Sequence, residues 1–253
     1  MTSYTTPSNP SSHPIWPIGW TVRHVAETGS TNDDLFVAAR DGAPHRSVIV
    51  ADFQTAGRGR LDRSWEATRG TNLLTSLLFR YEHEDMFRFS QVVALAGRAA
   101  CGVLTGVTPA LKWPNDLVIN TEKLGGLLAV GSPNDRFVVV GIGVNVAWAP
   151  AGAASLRSAV SVGGTRDLVP LQLLAVMLGE IDQRLAWTDE QLLAEHKAAL
   201  ATLGLRVRVD LRAGNSVVGL AEDLDAASRL LVRDDDGCLH VIDVGDVMHL
   251  RTQ

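Results

Sequence analysis

At 253 residues, with 46% hydrophobic and 20% charged side chains, the chain can bury one large core or one core plus a small satellite, and intrinsic disorder is excluded. A formal net charge of −5 argues against a surface that tracks a nucleic-acid backbone. The longest apolar run, residues 137–151, contains Asn145 and falls short of the ~18 residues of a membrane span, and the first charge is Arg23, so neither a span nor a secretory leader is expected. Cys101 and Cys238 lie far apart and the seven histidines are scattered, so no structural zinc is expected and the compartment is read as reducing and cytoplasmic.

Residues 1–14 are mostly Ser, Thr and Pro, and 1–19 are expected to form a flexible tail without a DNA-binding domain. A first strand is predicted over 20–26. In Thr28-Gly29-Ser30-Thr31-Asn32 a hydroxyl can cap a helix over 33–40, with Asp33 and Asp34 on its positive end and Gly42 as its stop. Hydroxyls there can also hydrogen-bond a ligand, and the two roles are compatible.

Residues 48–51 read as a buried strand, and the loop after it carries the strongest chemical signal. In Asp52-Phe53-Gln54-Thr55-Ala56-Gly57-Arg58-Gly59-Arg60-Leu61-Asp62-Arg63-Ser64-Trp65, Gly57 and Gly59 let backbone N–H groups approach a ligand, while Arg58, Arg60 and Arg63 supply three permanent cations. Trp65 can close the loop apolarly. On an acidic chain this points to a local anion site for a small phosphorylated ligand. Taken alone, the stretch also fits an exposed basic turn or an arginine-glycine tract for single-stranded nucleic acid.

A Leu-rich strand over 72–79 precedes a helix over 86–105, whose Phe89, Val92, Val93, Ala96, Ala99, Ala100 and Val103 form a core stripe. Short strands follow at 110–113, 117–119, 124–130 and 137–146. This is a mixed sheet with few intervening helices, unlike a doubly wound nucleotide fold. Residues 147–166, rich in Ala, Gly and Ser, read as a loop and mobile lid, before amphipathic helices over 171–187 and 189–202. Beyond Gly204, strands at 205–211, 216–221, 229–233, 239–242 and 247–250 predict a β barrel of about fifty residues, near the lower limit for folding alone and so docked on the main domain.

Two further stretches carry chemistry. Lys112-Trp113-Pro114-Asn115-Asp116 sets a cation, an amide and a carboxylate around a proline turn, and Lys123-Leu124-Gly125-Gly126 follows. A carboxylate beside phosphate-binding cations is how Mg²⁺ is held, which makes Asp116 the metal candidate; as a turn former after proline, Asn115-Asp116 has a plainer reading too. Only three of the 23 basic residues are lysines, and two of them are Lys112 and Lys123, which points to sites where a compact cation is wanted, with chance clustering of so few residues as the plainer alternative. Gly141-Ile142-Gly143-Val144-Asn145 bares one side of a strand, where a flat ligand could lie against backbone. Neither a dinucleotide fingerprint nor a Walker loop is present.

Together, Gly-Ser-Thr-Asn at 29–32, Gln-Thr-Ala-Gly-Arg-Gly-Arg at 54–60, Lys-Trp-Pro-Asn-Asp at 112–116, Lys-Leu-Gly-Gly at 123–126 and Gly-Ile-Gly-Val-Asn at 141–145 closely resemble the biotin protein ligases. The resemblance implies an α+β fold. A mixed-sheet catalytic domain related to class II aminoacyl-tRNA synthetases would occupy residues 20–203, and an SH3-like β barrel 204–253. It implies activation of biotin by MgATP to biotinyl-5′-AMP and transfer to one lysine of a biotin carboxyl carrier domain of an acyl-CoA carboxylase; many members also carry an N-terminal winged helix for which this sequence shows no pattern, so a monomer or homodimer that binds neither nucleic acid nor membrane is expected.

By the same resemblance Ser30, Thr31, Gln54, Gly57, Arg58, Lys123, Gly126, Gly141 and Gly143 would bind biotin, and Arg58, Arg60, Arg63, Trp65, Lys112, Asn115 and Asn145 would bind ATP or the adenylate. Lys123, Arg60 and Arg63 would be catalytic, and Ala154-Ser155-Leu156 resembles part of the adenylate lid. The family usually has glycine where this chain has Asp62, a carboxylate able to pair with Arg60 or Arg63 in the empty enzyme, which leaves the loop's resting conformation open. A lipoate-type acyl-adenylate ligase on the same scaffold, or a ligand- or nucleic-acid-binding module without catalysis, are the alternatives.

Overall fold

The computed structural model describes residues 14–61, 63–82, 86–160, 168–211, 214–243 and 245–249. In chain order its elements are β1 (Thr21–Val25), α1 (Thr31–Arg40), β2 (Ser47–Ala51), β3 (Leu73–Arg80), α2 (Met86–Thr105), β4 (Ala110–Lys112), β5 (Asp116–Ile119), β6 (Glu122–Ser132) and β7 (Phe137–Val144). There follow α3 (Leu156–Ala159), α4 (Pro170–Leu185), α5 (Asp189–Ala199), β8 (Arg206–Asp210), β9 (Ser216–Leu224), β10 (Leu230–Arg233), β11 (Leu239–Ile242) and β12 (Asp246–His249).

β2, β3 and β7 are buried along nearly their whole length because both faces of their sheet are covered. The sheet runs β1-β2-β3-β7-β6-β5-β4, with β1 and β2 parallel and every other pair antiparallel. Side chains alternate between the faces. Val48, Val50, Leu73, Leu77, Phe79, Val138, Val140 and Ile142 share a core with α2 and α4. Ile49, Leu78, Phe137 and Val139 turn the other way and meet Leu35 and Ala39 of α1. Further along that second face the strand positions become Leu74, Ser76, Gly141, Gly143, Gly126 and Leu128, paired Ser76 with Gly141, Leu74 with Gly143, and Gly126 with Gly143. The helix covers one end of this face, and small residues leave the other end hollow.

β8 to β12 form an antiparallel sheet in the order β11-β10-β9-β8-β12. Its buried Val207, Val209, Ala221, Leu224, Leu230, Val232, Ile242 and Val247 are continuous with the main core. Trp113 stitches the two sheets, its Nε1–H donating to Ser228 O at 3.2 Å and its backbone N–H to Thr202 Oγ1 at 3.1 Å. Lys197 Nζ adds an ion pair to Asp223 at 2.8 Å. The expected docking of the small β unit on the rest of the chain is thus observed.

Some expectations need correction. Val103 is 59% exposed, whereas Ala94, Leu95 and Cys101 are buried. With the sheet on one side and α4 alongside, α2 buries a broader face that continues through Gly97 to Cys101, one residue row away from Val103. Residues 147–160 are not all loop, because Ser155 caps the short α3 in a reciprocal capping box with Ser158. β6 begins at Glu122, two residues early, so Lys123 sits on a strand. Residues 1–13, Asp62 and 161–167, on which the expectations of a tail, of a resting Asp62 pair and of part of the lid fall, lie outside the described residues.

Candidate active site

The hollow end of the sheet opens into a cavity of about 650 Å³, within the range of small-molecule sites. Its floor is Ser76, Gly141, Gly143 and Gly126, and the N-terminus of α1 points into it. Ser30 accepts from Asp33 N–H at 3.4 Å as the N-cap, so the capping role is real, and its side chain also lines the cavity.

Behind Ser30 runs a polar chain. Gln54 Oε1 accepts from Thr31 N–H at 2.8 Å and stands 3.0 Å from Thr31 Oγ1, which lies 2.8 Å from Ser76 Oγ. Ser76 donates to Asn32 Oδ1 at 2.6 Å, and Asn32 Nδ2 donates to Leu128 O at 3.0 Å. Fixed at both ends, this network orients Thr31 and Gln54 without help from a ligand. Gly141 makes room for it, since a Cβ there would stand 2.4 Å from Asn32 Oδ1. The bare strand surface expected at Gly141 and Gly143 is therefore partly clothed by the chain itself. A Cβ on Gly143 would stand 2.5 Å from the Trp65 ring, so that indole packs directly on the strand, and its Nε1 is buried without a hydrogen-bond partner.

The glycine-arginine loop folds back so that Trp65 N–H donates to Gly57 O at 2.9 Å and Gly59 N–H to Arg63 O at 2.7 Å. Gly57 does not line the cavity. It is buried beneath the loop, where a Cβ would strike Trp65 O at 2.7 Å and crowd Gln54 at 3.0 Å, so its smallness serves the loop's closure. Arg58, Arg60 and Arg63 all line the cavity. Arg58 pairs with Asp33 of α1, Arg63 with Asp246 of β12, and Arg60 donates to Asn115 Oδ1 at 3.0 Å. Lys123 Nζ stands 2.6 Å from Asp116 Oδ1 and 5.7 Å from the centre of the Trp65 ring. Gly126 leaves space for that pair, both atoms lying 3.2–3.3 Å from where its Cβ would be. Lys112 lines the same wall, directly across the strand pair from Asp116.

Asn115 Nδ2 donates to Leu127 O at 2.7 Å, which anchors the proline turn. Asn145 is fully engaged by protein: its Nδ2 donates to Ala154 O at 3.0 Å and its Oδ1 accepts from Asn72 at 3.2 Å. Together with Ala154 N–H to Lys123 O at 3.0 Å, these bonds pin residues 153–156 against the cavity wall, with Ala154, Ser155 and Leu156 buried. That stretch is a fixed rim in this conformation.

No nucleophile is arranged here. Cys101 is buried in the core, where desolvation pushes its thiol up to about 12, and no histidine lines the cavity. The arrangement instead suits two anions brought together, with guanidinium, ammonium and carboxylate groups around a half-apolar floor.

Comparison with known proteins accords with that chemistry. Residues 28–146 match the Biotin/lipoate A/B protein ligase family, and 202–250 the Biotin protein ligase C terminal domain. The biotin--[acetyl-CoA-carboxylase] ligase of Mycobacterium tuberculosis is 39% identical over 241 residues, 90% of this chain and 88% of that one. The chain belongs to the biotin protein ligase family. The corresponding ligase of Paracoccus denitrificans is 38% identical over 133 residues, 50% of this chain and 55% of that one. The structure of the Aquifex aeolicus biotin protein ligase in complex with biotin and ATP superposes with a TM-score of 0.77 at 25% identity, covering 92% of this chain and 99% of that one.

Within this ligase cavity lie all of the sequence-predicted residues except Gly57: Ser30, Thr31, Gln54, Arg58, Arg60, Arg63, Trp65, Lys112, Asn115, Asp116, Lys123, Gly126, Gly141, Gly143 and Asn145. Sequence reasoning missed the carboxylates Asp33 and Asp246 that hold two of the arginines, and the buried Asn32, Ser76 and Asn72. Asp246 lies 183 positions from Arg63, and no local pattern marks it.

Proposed function

We propose that this cavity activates biotin with MgATP to biotinyl-5′-AMP and then passes the biotinyl group to a lysine of a biotin carboxyl carrier domain, in the cytoplasm. A biotin carboxylate oxygen bonds to the α-phosphorus and pyrophosphate leaves. The acceptor amine then attacks the acyl carbon, losing a proton, and AMP leaves. The observation that carries the reading is the convergence of Arg58, Arg60, Arg63 and Lys123 on one cavity beside the Ser76, Gly141 and Gly143 floor.

Each step joins an anion or an amine to an anionic group, so charge neutralisation and positioning supply the catalysis. A cation ~4 Å from an anion contributes about 4 kcal/mol at an effective dielectric of 20, before desolvation. In this reading Ser30, Thr31 and Gln54 hydrogen-bond the biotin head group over Gly126, Gly141 and Gly143, with Gly57 holding the loop shut above it. Arg58, Arg60, Arg63 and Lys123 leave their present partners for carboxylate and phosphate. Lys112, Asn115 and Asn145 flank the nucleotide, and Trp65 closes the loop to exclude water from the anhydride.

The Asp116 carboxylate lines the cavity with its Oδ1 2.6 Å from Lys123 Nζ, and once Lys123 turns to phosphate it is an oxygen donor that fits Mg²⁺ held largely by substrate phosphates. When bound, Mg²⁺ supplies neutralisation of the leaving pyrophosphate. Residues 20–203 form the catalytic unit in this reading and 204–253 its SH3-like companion.

The test is ATP–pyrophosphate exchange with the whole chain, run with biotin, with lipoate and without either. Exchange that depends on biotin and not on lipoate supports the assignment. Exchange driven by lipoate transfers it to the lipoate branch, and none at all favours a binding module. Asp116→Ala is expected to raise the MgATP requirement while biotin affinity holds.

A further inference from the structure

Outside the cavity, among the described residues, one cluster of metal-ligating side chains has no part in the reaction above. On the β10–β11 hairpin, Asp234, Cys238 and His240 bring a carboxylate oxygen, a thiol sulfur and an imidazole nitrogen within 4.8 Å of one another. None of the three lines the active-site cavity. The spacing Asp-x-x-x-Cys-x-His matches no familiar cysteine-pair pattern, which is why a search for paired Cys and His passes over it.

The turn itself needs only part of this set. Asp234 Oδ1 accepts from Cys238 N–H at 2.8 Å and Asp236 N–H at 3.1 Å, and Gly237, at φ +82°, completes the reversal. Asp234 Oδ2 stands 2.6 Å from His240 Nε2. The Cys238 sulfur serves none of this: its backbone closes the turn, and its side chain faces solvent. Asp235 is matched by Arg206 at 2.6 Å and Arg233 by Glu222 at 2.7 Å; Arg233 also donates to Gly237 O at 3.0 Å, so a dication here would meet one carboxylate and one thiolate with this guanidinium, held by Glu222, beside them.

We propose that Asp234, Cys238 and His240 form a site for a thiophilic divalent transition metal of the Zn²⁺ class, with water completing the tetrahedron. One thiolate, one imidazole and one carboxylate are the donors that Zn²⁺ accepts and that Mg²⁺ and Ca²⁺, which demand oxygen, do not. Binding releases the thiol proton, and any imidazolium proton, to solvent. β11 is the edge strand of its sheet, paired only to β10, so a metal joining Asp234 to Cys238 and His240 cross-links an edge that hydrogen bonds secure on one side alone. The assignment is independent of the reaction proposed above.

The full chain is titrated with Co²⁺ under reducing conditions, with thiolate-to-cobalt charge-transfer absorption as the readout and Zn²⁺ as competitor. One equivalent per chain is expected, displaced by Zn²⁺, with the absorption lost in Cys238→Ser. Loss of a group that merely supports a ligand costs ~10- to 100-fold in affinity, so His240→Ala should weaken binding by no less. Circular dichroism and the urea-unfolding midpoint of the metal-free chain should be unchanged in both variants, which reports that they remain folded. No charge-transfer band in the wild-type chain, a band that survives Cys238→Ser, or one metal per two chains would each overturn the proposal.

Discussion

Gly143→Ala tests the floor of the cavity most directly. The added methyl would stand 2.5 Å from Trp65 Cε2 and 2.8 Å from Cζ2 and Nε1. Carbon atoms settle at about 3.5–4.0 Å, so the indole must retreat by roughly 1 Å. Forcing such a contact inside a rigid core costs about 1–3 kcal/mol. Here Trp65 sits on a loop and can swing out, so the expected outcome is a small change in global stability and a large change in ligand closure. We expect biotin affinity by calorimetry to fall roughly ten- to hundredfold, the equivalent of that strain. The midpoint of urea unfolding should move little. Trp65→Ala should lower affinity as well, and the double variant should be no worse than the poorer single, because both act through one contact. Wild-type biotin affinity in Gly143→Ala would refute the reasoning, since Trp65 would then have no need of that bare strand.

Lys123→Ala should reduce biotin-dependent exchange by orders of magnitude with circular dichroism unchanged, because the lysine contributes charge at the reacting centre; exchange equal to wild type would remove it from the mechanism. Arg60→Gly should loosen adenylate retention by about 1.5–3 kcal/mol, roughly ten- to hundredfold, while Arg58, Arg63 and Lys123 still support activation. Labelling of an unrelated lysine-rich protein by the leaked adenylate is the readout, and adenylate formation without such labelling counts against Arg60 as the retaining group. His196 is buried on α5 with an unpartnered Nδ1, and desolvation lowers its pKa to about 4. A depressed histidine keeps its stabilising neutral form above about pH 6.5, and stability is lost as pH falls from there towards 4, by up to about 3 kcal/mol. Chemical denaturation across that range should show the slope in the wild type and a flatter one in His196→Leu; equal slopes would exclude His196 as the cause.

The parts of this molecule that were legible in the sequence are those whose signals are local. Ser30 before Asp33-Asp34 announced the start of α1, and the Leu-rich run before residue 80 announced β3. The arginine loop and the Lys-Trp-Pro-Asn-Asp turn could be read as an anion site from residue types alone. What stayed hidden depends on pairing across the sheet. Ser76 becomes a site residue only because Gly141 lies opposite it and Asn32 descends from α1 to meet both. That Gly57 lies under the loop and off the cavity lining could not be read locally, because its surroundings, Trp65 O and Gln54, can be known only once the loop has closed. Val103 fell off the core stripe because α4, distant in sequence, decides which face of α2 is covered.

The pairing of Arg58 with Asp33, Lys123 with Asp116 and Arg63 with Asp246 matches three of the resting cavity's cations with carboxylates. A lone inorganic anion arriving there gains only the difference between itself and a carboxylate already in place, so the empty site is a poor trap for stray phosphate or sulfate. A ligand that engages several cations at once, as an adenylate precursor does, meets that exchange cost at every contact but loses its freedom of motion only once. Selectivity for a long, multiply charged guest over abundant small ions is thus built into the resting state. Were Arg63 to turn to the ligand as proposed, Asp246 of β12, which lines the same cavity, would be left as an unmatched negative charge contributed by the C-terminal sheet.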